Sequence, residues 1–271
     1  MRLLPALAAD EMAVTSPVAP EGAAGRITVL IDGVTKTFGS GTGTVTALDD
    51  ISLTVKAGEF VSILGASGCG KSTLLNLVAG LDAPTRGSVH RAGDPSFMFQ
   101  EAALFPWLSV ERNVELPLKL RRLPKGERRD RVAELLEMVQ LTAFAKRQPH
   151  ELSGGMRQRA ALARALARDS EVLLMDEPFG ALDAMTRDIL HDELERIWLA
   201  TGRTILFVTH NVREAARLGD RIVLLTSRPG RVAEEFAVDI PRPRRIEDPD
   251  VAALAKHVTA RLRQEVASHG R

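Results

Sequence analysis

The sequence predicts an α/β fold with a helical insertion, and three features of its pattern carry this prediction. Continuous apolar runs, typical of strands buried in a parallel sheet, occur at EFVSIL (59–64), EVLLMDE (171–177) and TILFVTH (204–210). Each run is followed by a segment whose apolar residues have helical spacing. The segment 109–168 contains no convincing strand, so we expect helices inserted between two strands of the core.

Further strands are predicted on either side of this core in the sequence. Stretches 27–38 and 47–55 are rich in β-branched and apolar residues and are separated by a Gly/Thr turn, which predicts antiparallel strands. Residues 221–240, RIVLLTSRPGRVAEEFAVDI, predict a β-hairpin that turns at Pro229 and Gly230. We therefore expect an N-terminal antiparallel β subdomain, then an α/β core that ends in a hairpin.

Both ends of the chain are predicted to lie outside the main domain. Residues 1–25 superficially resemble a secretory leader, but their short apolar part is broken by Pro5 and followed by acidic residues, so we expect a disordered tail. The main domain spans 26–240, with its insertion at about 101–168, and 241–271 form a tail with one amphipathic helix. The residues expected on the apolar face of this helix are Val251, Leu254, Val258, Leu262 and Val266.

Composition excludes several classes of function. The 271 residues carry 36 Lys and Arg against 35 Asp and Glu, a net charge of +1, which gives no support for nucleic-acid binding through bulk charge. The basic stretch 119–131 is interrupted by acidic residues and contains no aromatic residue, so a solvated helix face is the better interpretation. The single cysteine, Cys69, excludes an internal disulfide and a cysteine-based zinc cluster. No apolar run is long enough to span a membrane.

The stretch GASGCGKST at 65–73 fits the pattern G-x-x-x-x-G-K-[ST] of a phosphate-binding loop, or P-loop, between a predicted strand and a predicted helix. Its glycines let backbone N–H groups converge on phosphates at a helix N-terminus. Lys71 would reach the β- and γ-phosphates, Ser72 would hold Mg²⁺, and Cys69 is interpreted as a small spacer rather than a redox switch. The residues predicted to contact a nucleotide here are Gly65, Ala66, Ser67, Gly68, Cys69, Gly70, Lys71, Ser72 and Thr73.

Two adjacent carboxylates end the buried run VLLMDEP at 172–178. Asp176 would lie on the metal side at the carboxyl end of the strand. Glu177 would point to the other face of the chain and polarise an attacking water. An apolar run that ends in Asp-Glu is by itself more often a strand meeting solvent, but the neighbouring P-loop favours a catalytic interpretation.

Three single residues stand at predicted strand ends. Gln100 follows the apolar run SFMF, and His210 ends the run ILFVT, at the edge where α/β proteins bind their ligands. A lone Gln or His there is more often an ordinary loop residue. Phe38 ends its strand and could stack on an adenine ring, and packing in the core is an equally good interpretation.

The stretch LSGGMRQR at 152–159 predicts a second anion site on the same chain. Ser153 and the free backbone N–H groups at a helix start can bind an anion. Gly154 and Gly155 would remove side chains that hold a phosphate away. The sequence thus predicts two separate phosphate-binding sites on one domain, the P-loop and the LSGG helix start.

Together these motifs resemble the ATP-binding subunit of an ABC transporter. The resemblance extends from about residue 27 to 240. LSGG combined with a P-loop is very specific, because other P-loop ATPases lack LSGG. One departure is Phe38, where the family more often has Tyr; the stacking face is retained. The motifs occur in family order as Phe38, the P-loop, Gln100, LSGG, LLMDE, ALD at 181–183 and His210.

This resemblance implies MgATP hydrolysis at sites shared by two chains. In the family, two ATPase domains dimerise head to tail, and ATP on one P-loop is capped by the LSGG of the other, so each device is half a site. Glu177 is implied to be the general base, and Lys71, His210 and Gln100 are implied to bind or sense the γ-phosphate and position water. The implied Mg²⁺ residues are Ser72, Gln100 and Asp176, and those acting across the dimer are Ser153, Gly154, Gly155 and Asp183.

Within the family, 99–114, 175–187 and 227–236 look most like ATPases of nitrate, sulfonate and taurine importers. This likeness implies a peripheral subunit on the cytoplasmic face of the cell membrane. Its partners would be a second copy of the same ATPase subunit and the integral membrane permease, with a solute-binding protein as an indirect partner. An alternative is a soluble ABC ATPase without transport, such as the iron–sulfur assembly type; a P-loop kinase would not explain LSGG.

The loop LFPWLSV is the predicted contact with the permease. It brings together the large apolar residues Phe105, Trp107 and Leu108, which are useful when exposed only if a partner covers them. We expect a short cytoplasmic helix of the membrane subunit to dock in a groove beside residues 101–113. The alternative is that these side chains pack inside the insertion.

Overall fold

The computed structural model describes residues 25–39 and 41–269 and arranges them as two sheets flanked by helices. The elements in chain order are β1 (Ile27–Phe38), β2 (Val45–Lys56), β3 (Phe60–Leu64), α1 (Lys71–Ala79), β4 (Arg86–Arg91), β5 (Ser96–Met98), α2 (Val110–Leu120), α3 (Lys125–Met138), α4 (Gly154–Leu166), β6 (Val172–Asp176), α5 (Ala184–Thr201), β7 (Thr204–Thr209), α6 (Val212–Leu218), β8 (Arg221–Leu225), β9 (Val232–Ala237) and α7 (Pro249–His269). The predicted tail, apart from Gly25, lies outside the described residues.

Six strands of the described chain form the larger sheet, in the order β5-β6-β7-β3-β8-β9. Neighbouring strands are parallel except β8 and β9, which form the predicted antiparallel hairpin. The sheet is buried on both faces because successive residues of a strand face opposite layers. In β6, Val172 and Leu174 pack with α1 and the smaller sheet, whereas Leu173 and Met175 pack with the insertion. This arrangement confirms the predicted α/β core.

The smaller sheet has the order β2-β1-β4, and β1 is antiparallel to both neighbours. Its first two strands confirm the prediction of an N-terminal antiparallel unit. The third, β4, was not predicted. Its sequence, RGSVHR, has no alternation of apolar residues and no buried run, and its side chains are exposed or half-buried. Pairing with β1, rather than side-chain burial, defines this strand.

The helices α2, α3 and α4 lie between β5 and β6 and confirm the helical character predicted for this segment. Val114 of α2, Leu135 of α3 and Leu162 of α4 are buried in one cluster together with Met175 of β6. Because the insertion shares its core with the larger sheet, the start of α4 is fixed relative to the carboxyl ends of the parallel strands of that sheet.

The C-terminal helix α7 packs against α6, β8 and β9. Val251 and Val258 are fully buried, and Leu254 and Leu262 are partly buried, as the periodicity predicts. Val266 is 46% exposed, so the predicted apolar face was wrong at its last position, where the helix extends beyond the core. Within the described residues no helix is both long enough and apolar enough to cross a membrane.

Candidate active site

The P-loop connects the end of β3 to the start of α1. Gly70, directly before α1, has a φ of 100°, and a Cβ there would lie 2.6 Å from Cδ2 of Leu48 in β2. Only glycine combines this left-handed backbone with so close an approach. The loop is therefore packed against β2 at a helix N-terminus, where backbone N–H groups and the helix dipole favour an anion. Cys69 is buried, and burial raises the pKa of its thiol, which fits the interpretation as a spacer.

Lys71 carries a buried positive charge at this loop. Its side chain is 5% exposed, and Nζ donates to the carbonyl oxygens of Gly65 (2.9 Å) and Ala66 (3.0 Å). The same nitrogen lies 4.0 Å from Oε1 of Glu177. A buried ammonium requires such partners, and a phosphate oxygen is a stronger acceptor than a carbonyl. Lys71 is thus positioned so that its hydrogen bonds to the loop carbonyls can be replaced by hydrogen bonds to a phosphate bound in the loop.

Asp176 ends β6 next to the first turn of α1. Burial raises the pKa of its carboxyl, and a hydrogen bond from the Ser72 hydroxyl opposes the rise. A hydroxyl and a carboxylate side by side are the hard oxygen donors that Mg²⁺ prefers. The residues present at this point fit that ion.

Glu177 turns back toward the phosphate side instead of continuing the strand. Its φ of 44° is a left-handed conformation, and its N–H donates to the Val208 carbonyl of β7 at 2.9 Å. Its Oε2 lies 2.9 Å from Nδ1 of His210, while Oε1 faces Lys71. The expectation that strand alternation would direct this carboxylate to the opposite face was therefore wrong. Strand β6 has already ended, and a strained backbone conformation sets the direction.

Gln100 follows β5 and is exposed, and its backbone is held by α4. Gln158 Nε2 donates to the Gln100 carbonyl at 2.9 Å. Arg164, two turns further along α4, donates to the carbonyls of Ala102 (3.0 Å) and Ala103 (2.6 Å). The sequence analysis missed both residues. The available signal was Gln158 itself, a polar residue on the buried, alanine-rich face of the helix that begins at LSGG.

Phe38 lies at the end of β1 and is 45% exposed. Lys36 Nζ is 4.9 Å from the ring centroid. A half-exposed ring at a strand end contradicts the alternative that Phe38 packs in the core. Stacking on an adenine ring stays a prediction.

The LSGG stretch forms the start of α4. Ser153 caps the helix, accepting from the Met156 N–H at 3.2 Å. A Cβ at Gly155 would lie 2.5 Å from Cγ2 of Thr186 in α5, whereas one at Gly154 would meet Leu182 at 3.3 Å. Packing between α4 and α5 therefore requires Gly155 within a single chain, a reason that the sequence analysis did not recognise.

Asp183 caps α5 beside the LSGG stretch. Its carboxylate accepts from the Thr186 N–H at 3.0 Å, and this hydrogen bond holds the pKa of the carboxyl below its usual range. Met185 and Ile189, one turn apart on α5, are exposed. The side chains of Ser153 and Asp183 make their cap hydrogen bonds within their own helices, α4 and α5. In contrast, Glu177 after β6 contacts both Lys71 of the P-loop and His210 after β7.

A P-loop lysine, a paired Asp and Glu at a strand end, and a helix that starts at LSGG define an ATP-binding cassette ATPase. The family model described as ABC transporter matches residues 48–180. The aliphatic sulfonates import ATP-binding protein of Bacillus cereus is 46% identical, over 80% of this chain and 89% of its own length. This chain belongs to the ABC transporter ATP-binding proteins.

Further relatives carry related names. The taurine import ATP-binding protein of Roseobacter denitrificans is 46% identical over 79% of this chain and 82% of its own. The nitrate import ATP-binding protein of Synechocystis is 46% identical over 73% and 78%. Among solved structures, a dimeric post-hydrolysis ATP-binding cassette bound to ADP and phosphate is 38% identical, covers 79% of this chain and all of its own, and has a TM-score of 0.69.

Proposed function

We propose that this chain is the ATP-hydrolysing subunit of an importer for nitrate, a sulfonate, taurine or a related small solute. The observation that carries the proposal is the meeting of Lys71, Glu177 and His210 at one edge of the larger sheet. ATP hydrolysis requires bound phosphates and a group that positions and deprotonates the attacking water, and these residues can supply both. The relatives named for sulfonate, taurine and nitrate import support the solute class.

Each residue has a chemical role that follows from its surroundings. Lys71 and the P-loop N–H groups bind the phosphates. Glu177 takes a proton from the attacking water, and His210, 2.9 Å away, holds the carboxylate and reaches the γ-phosphate side. Ser72 and Asp176 would hold Mg²⁺, with Gln100 as a further oxygen donor. When bound, that ion neutralises charge on the phosphates.

Two copies of the chain are proposed to share each site. Ser153 and the N–H groups that begin α4 bind the γ-phosphate held on the partner's P-loop, and Asp183 lies beside them at the start of α5. Met185, two residues after Asp183, is 76% exposed, and a second copy would cover it. The dimeric cassette bound to ADP and phosphate supports this arrangement.

The permease is proposed to dock in a groove between the insertion and the larger sheet. The groove has a volume of about 1020 Å³ and is lined by apolar side chains that include Phe97, Phe99, Phe105 and Leu120. Trp107, beside it, is 70% exposed and packs on Phe105 with ring centroids 5.5 Å apart. These exposures favour docking over the alternative that the loop packs inside the insertion. A short amphipathic helix of the membrane subunit fits such a groove.

The docking groove and the names of the relatives favour transport over a soluble ABC ATPase of the iron–sulfur assembly type. The proposal puts the chain at the cytoplasmic face of the cell membrane, attached through the permease. A solute-binding protein would act on the far side of that permease. Arg128 and Arg131 of α3 form ion pairs with Glu115 and Glu134, which supports the interpretation of the basic stretch as a solvated helix face.

Reconstitution tests the proposal. In proteoliposomes with the permease subunits and the solute-binding protein, the chain should drive ATP-dependent accumulation of labelled taurine, an alkanesulfonate or nitrate. Glu177→Gln is the matched control, because it keeps the nucleotide contacts and removes the base. Failure to associate with the permease, or equal uptake by the control, would exclude the proposal.

A further inference from the structure

The turn of the β8–β9 hairpin, residues 226–231, lies against the outer side of the P-loop. Arg228 donates from Nε to the carbonyl oxygen of Gly68 at 3.0 Å. Gly230 approaches so closely that a Cβ there would collide with the carbonyl oxygen of Cys69. Two consecutive carbonyls of the P-loop therefore face this turn.

The turn is fixed to β2 independently of Arg228. The N–H of Gly230 donates to the carbonyl of Ala47, and the N–H of Asp49 donates to the carbonyl of Gly230, both at 2.9 Å. Arg231 forms an ion pair with Asp49, with Nε 3.0 Å from Oδ2. Thr226 Oγ1 closes the turn by donating to the Pro229 carbonyl at 2.7 Å. The turn is therefore fixed on β2, so its Arg228 side chain can restrict the conformation of the P-loop.

The peptide between Gly68 and Cys69 is the group that Arg228 holds. In a trans peptide, the C=O and the following N–H point in opposite directions. With the Gly68 carbonyl directed to the hairpin, the Cys69 N–H is directed into the loop, where it donates to the Ala66 carbonyl at 3.3 Å. That bond is long, so a phosphate oxygen can replace it at little cost. Gly68 has a φ of 74°, and glycine leaves such a conformation easily unless a contact holds it.

We propose that Arg228 is a positioning residue for nucleotide binding, which holds the Gly68–Cys69 peptide with its N–H toward the phosphates. This inference rests on the proposed ATP binding of the P-loop. Arg228 acts through the loop backbone, and it is distant in sequence from the loop, 160 positions after Gly68. It therefore sets the affinity for nucleotide more than the rate of the chemical step.

Binding of a fluorescent ADP analogue, which is not turned over, tests the inference. Arg228→Ala should raise the dissociation constant about 5- to 10-fold, the loss expected for one solvent-exposed hydrogen bond, and should raise KM for ATP more than it lowers kcat. Arg231→Ala is the matched control, because it removes the same charge from the same turn without a bond to the P-loop, while the backbone hydrogen bonds of Gly230 with Ala47 and Asp49 still hold the turn on β2. It should change the dissociation constant less than about twofold.

Several results would overturn the inference. One is an Arg228→Ala variant that binds the analogue like the wild type, and another is an equal loss in Arg231→Ala, which would indicate charge alone. If Arg228→Ala does not fold, as judged by thermal unfolding, Arg228→Lys takes its place and must weaken binding at least about twofold, since lysine lacks the Nε donor. Wild-type protein that does not bind the analogue would instead refute the proposed ATP binding itself.

Discussion

Glycine could be required at position 155 for either of two reasons, which one substitution can separate. A side chain there would collide with α5 within the chain, or it would hold a bound phosphate away. A Cβ at this position would lie 2.5 Å from Cγ2 of Thr186. Overpacking of this kind costs about 1–3 kcal/mol, while alanine in place of glycine in a helix recovers up to about 1 kcal/mol. We therefore expect Gly155→Ala to lower the free energy of unfolding by about 1–2 kcal/mol.

Thr186→Ser provides the matched background. It removes the methyl group that clashes and keeps the hydroxyl and the N–H that bond to Asp183. In this background Gly155→Ala should be neutral or slightly stabilising, and urea denaturation of the four proteins measures the difference. An equal cost in both backgrounds would refute the packing explanation. ATPase activity of the stable double variant then tests the phosphate explanation, because activity lost despite normal stability assigns Gly155 to the nucleotide.

The remaining predictions concern catalysis and assembly. Glu177→Gln should hydrolyse ATP at least about 10²-fold more slowly while still binding it. Light scattering should then detect an ATP-bound dimer, and a fully active variant would contradict the assignment. Lys71→Ala and Ser153→Arg should each be nearly inactive. Mixing the two variants should restore part of the ATPase activity, because their heterodimer has one intact site. Cross-links that join Ser153 only to the P-loop of its own chain would exclude a shared site. Trp107→Ala should keep the melting temperature and ATPase activity of the free subunit, since the indole is largely exposed, but abolish uptake with the permease. Normal uptake would mean that the docking site lies elsewhere.

The core and its catalytic edge could be predicted because burial on both faces leaves continuous apolar runs. Lys71, Asp176 and His210 stand at or near the ends of such runs, and the parallel topology brings these ends together. The direction of Glu177 could not be predicted in this way. It depends on one left-handed φ beyond the strand, which no pattern of side chains records.

Other features depend on contacts between distant segments. Strand β4 is held by pairing with β1 and buries few side chains, so its sequence lacks the usual signal. Arg228 looks like any exposed turn residue until the hairpin brings it to Gly68. The role of Gly155 likewise requires the neighbouring α5, which the LSGG stretch alone does not specify.

The hydrogen bonds between α4 and the segment 100–103 couple the position of that segment to the orientation of the helix. Gln158 and Arg164 of α4 donate hydrogen bonds to carbonyl groups of that segment, and Ser153 is the N-cap of the same helix. A helix of 13 residues is a stiff rod about 20 Å long, so a tilt of about 10° displaces one end by about 3 Å relative to the other. If the segment that precedes Trp107 were displaced, these hydrogen bonds would carry the displacement to Ser153 as a rigid rotation of α4.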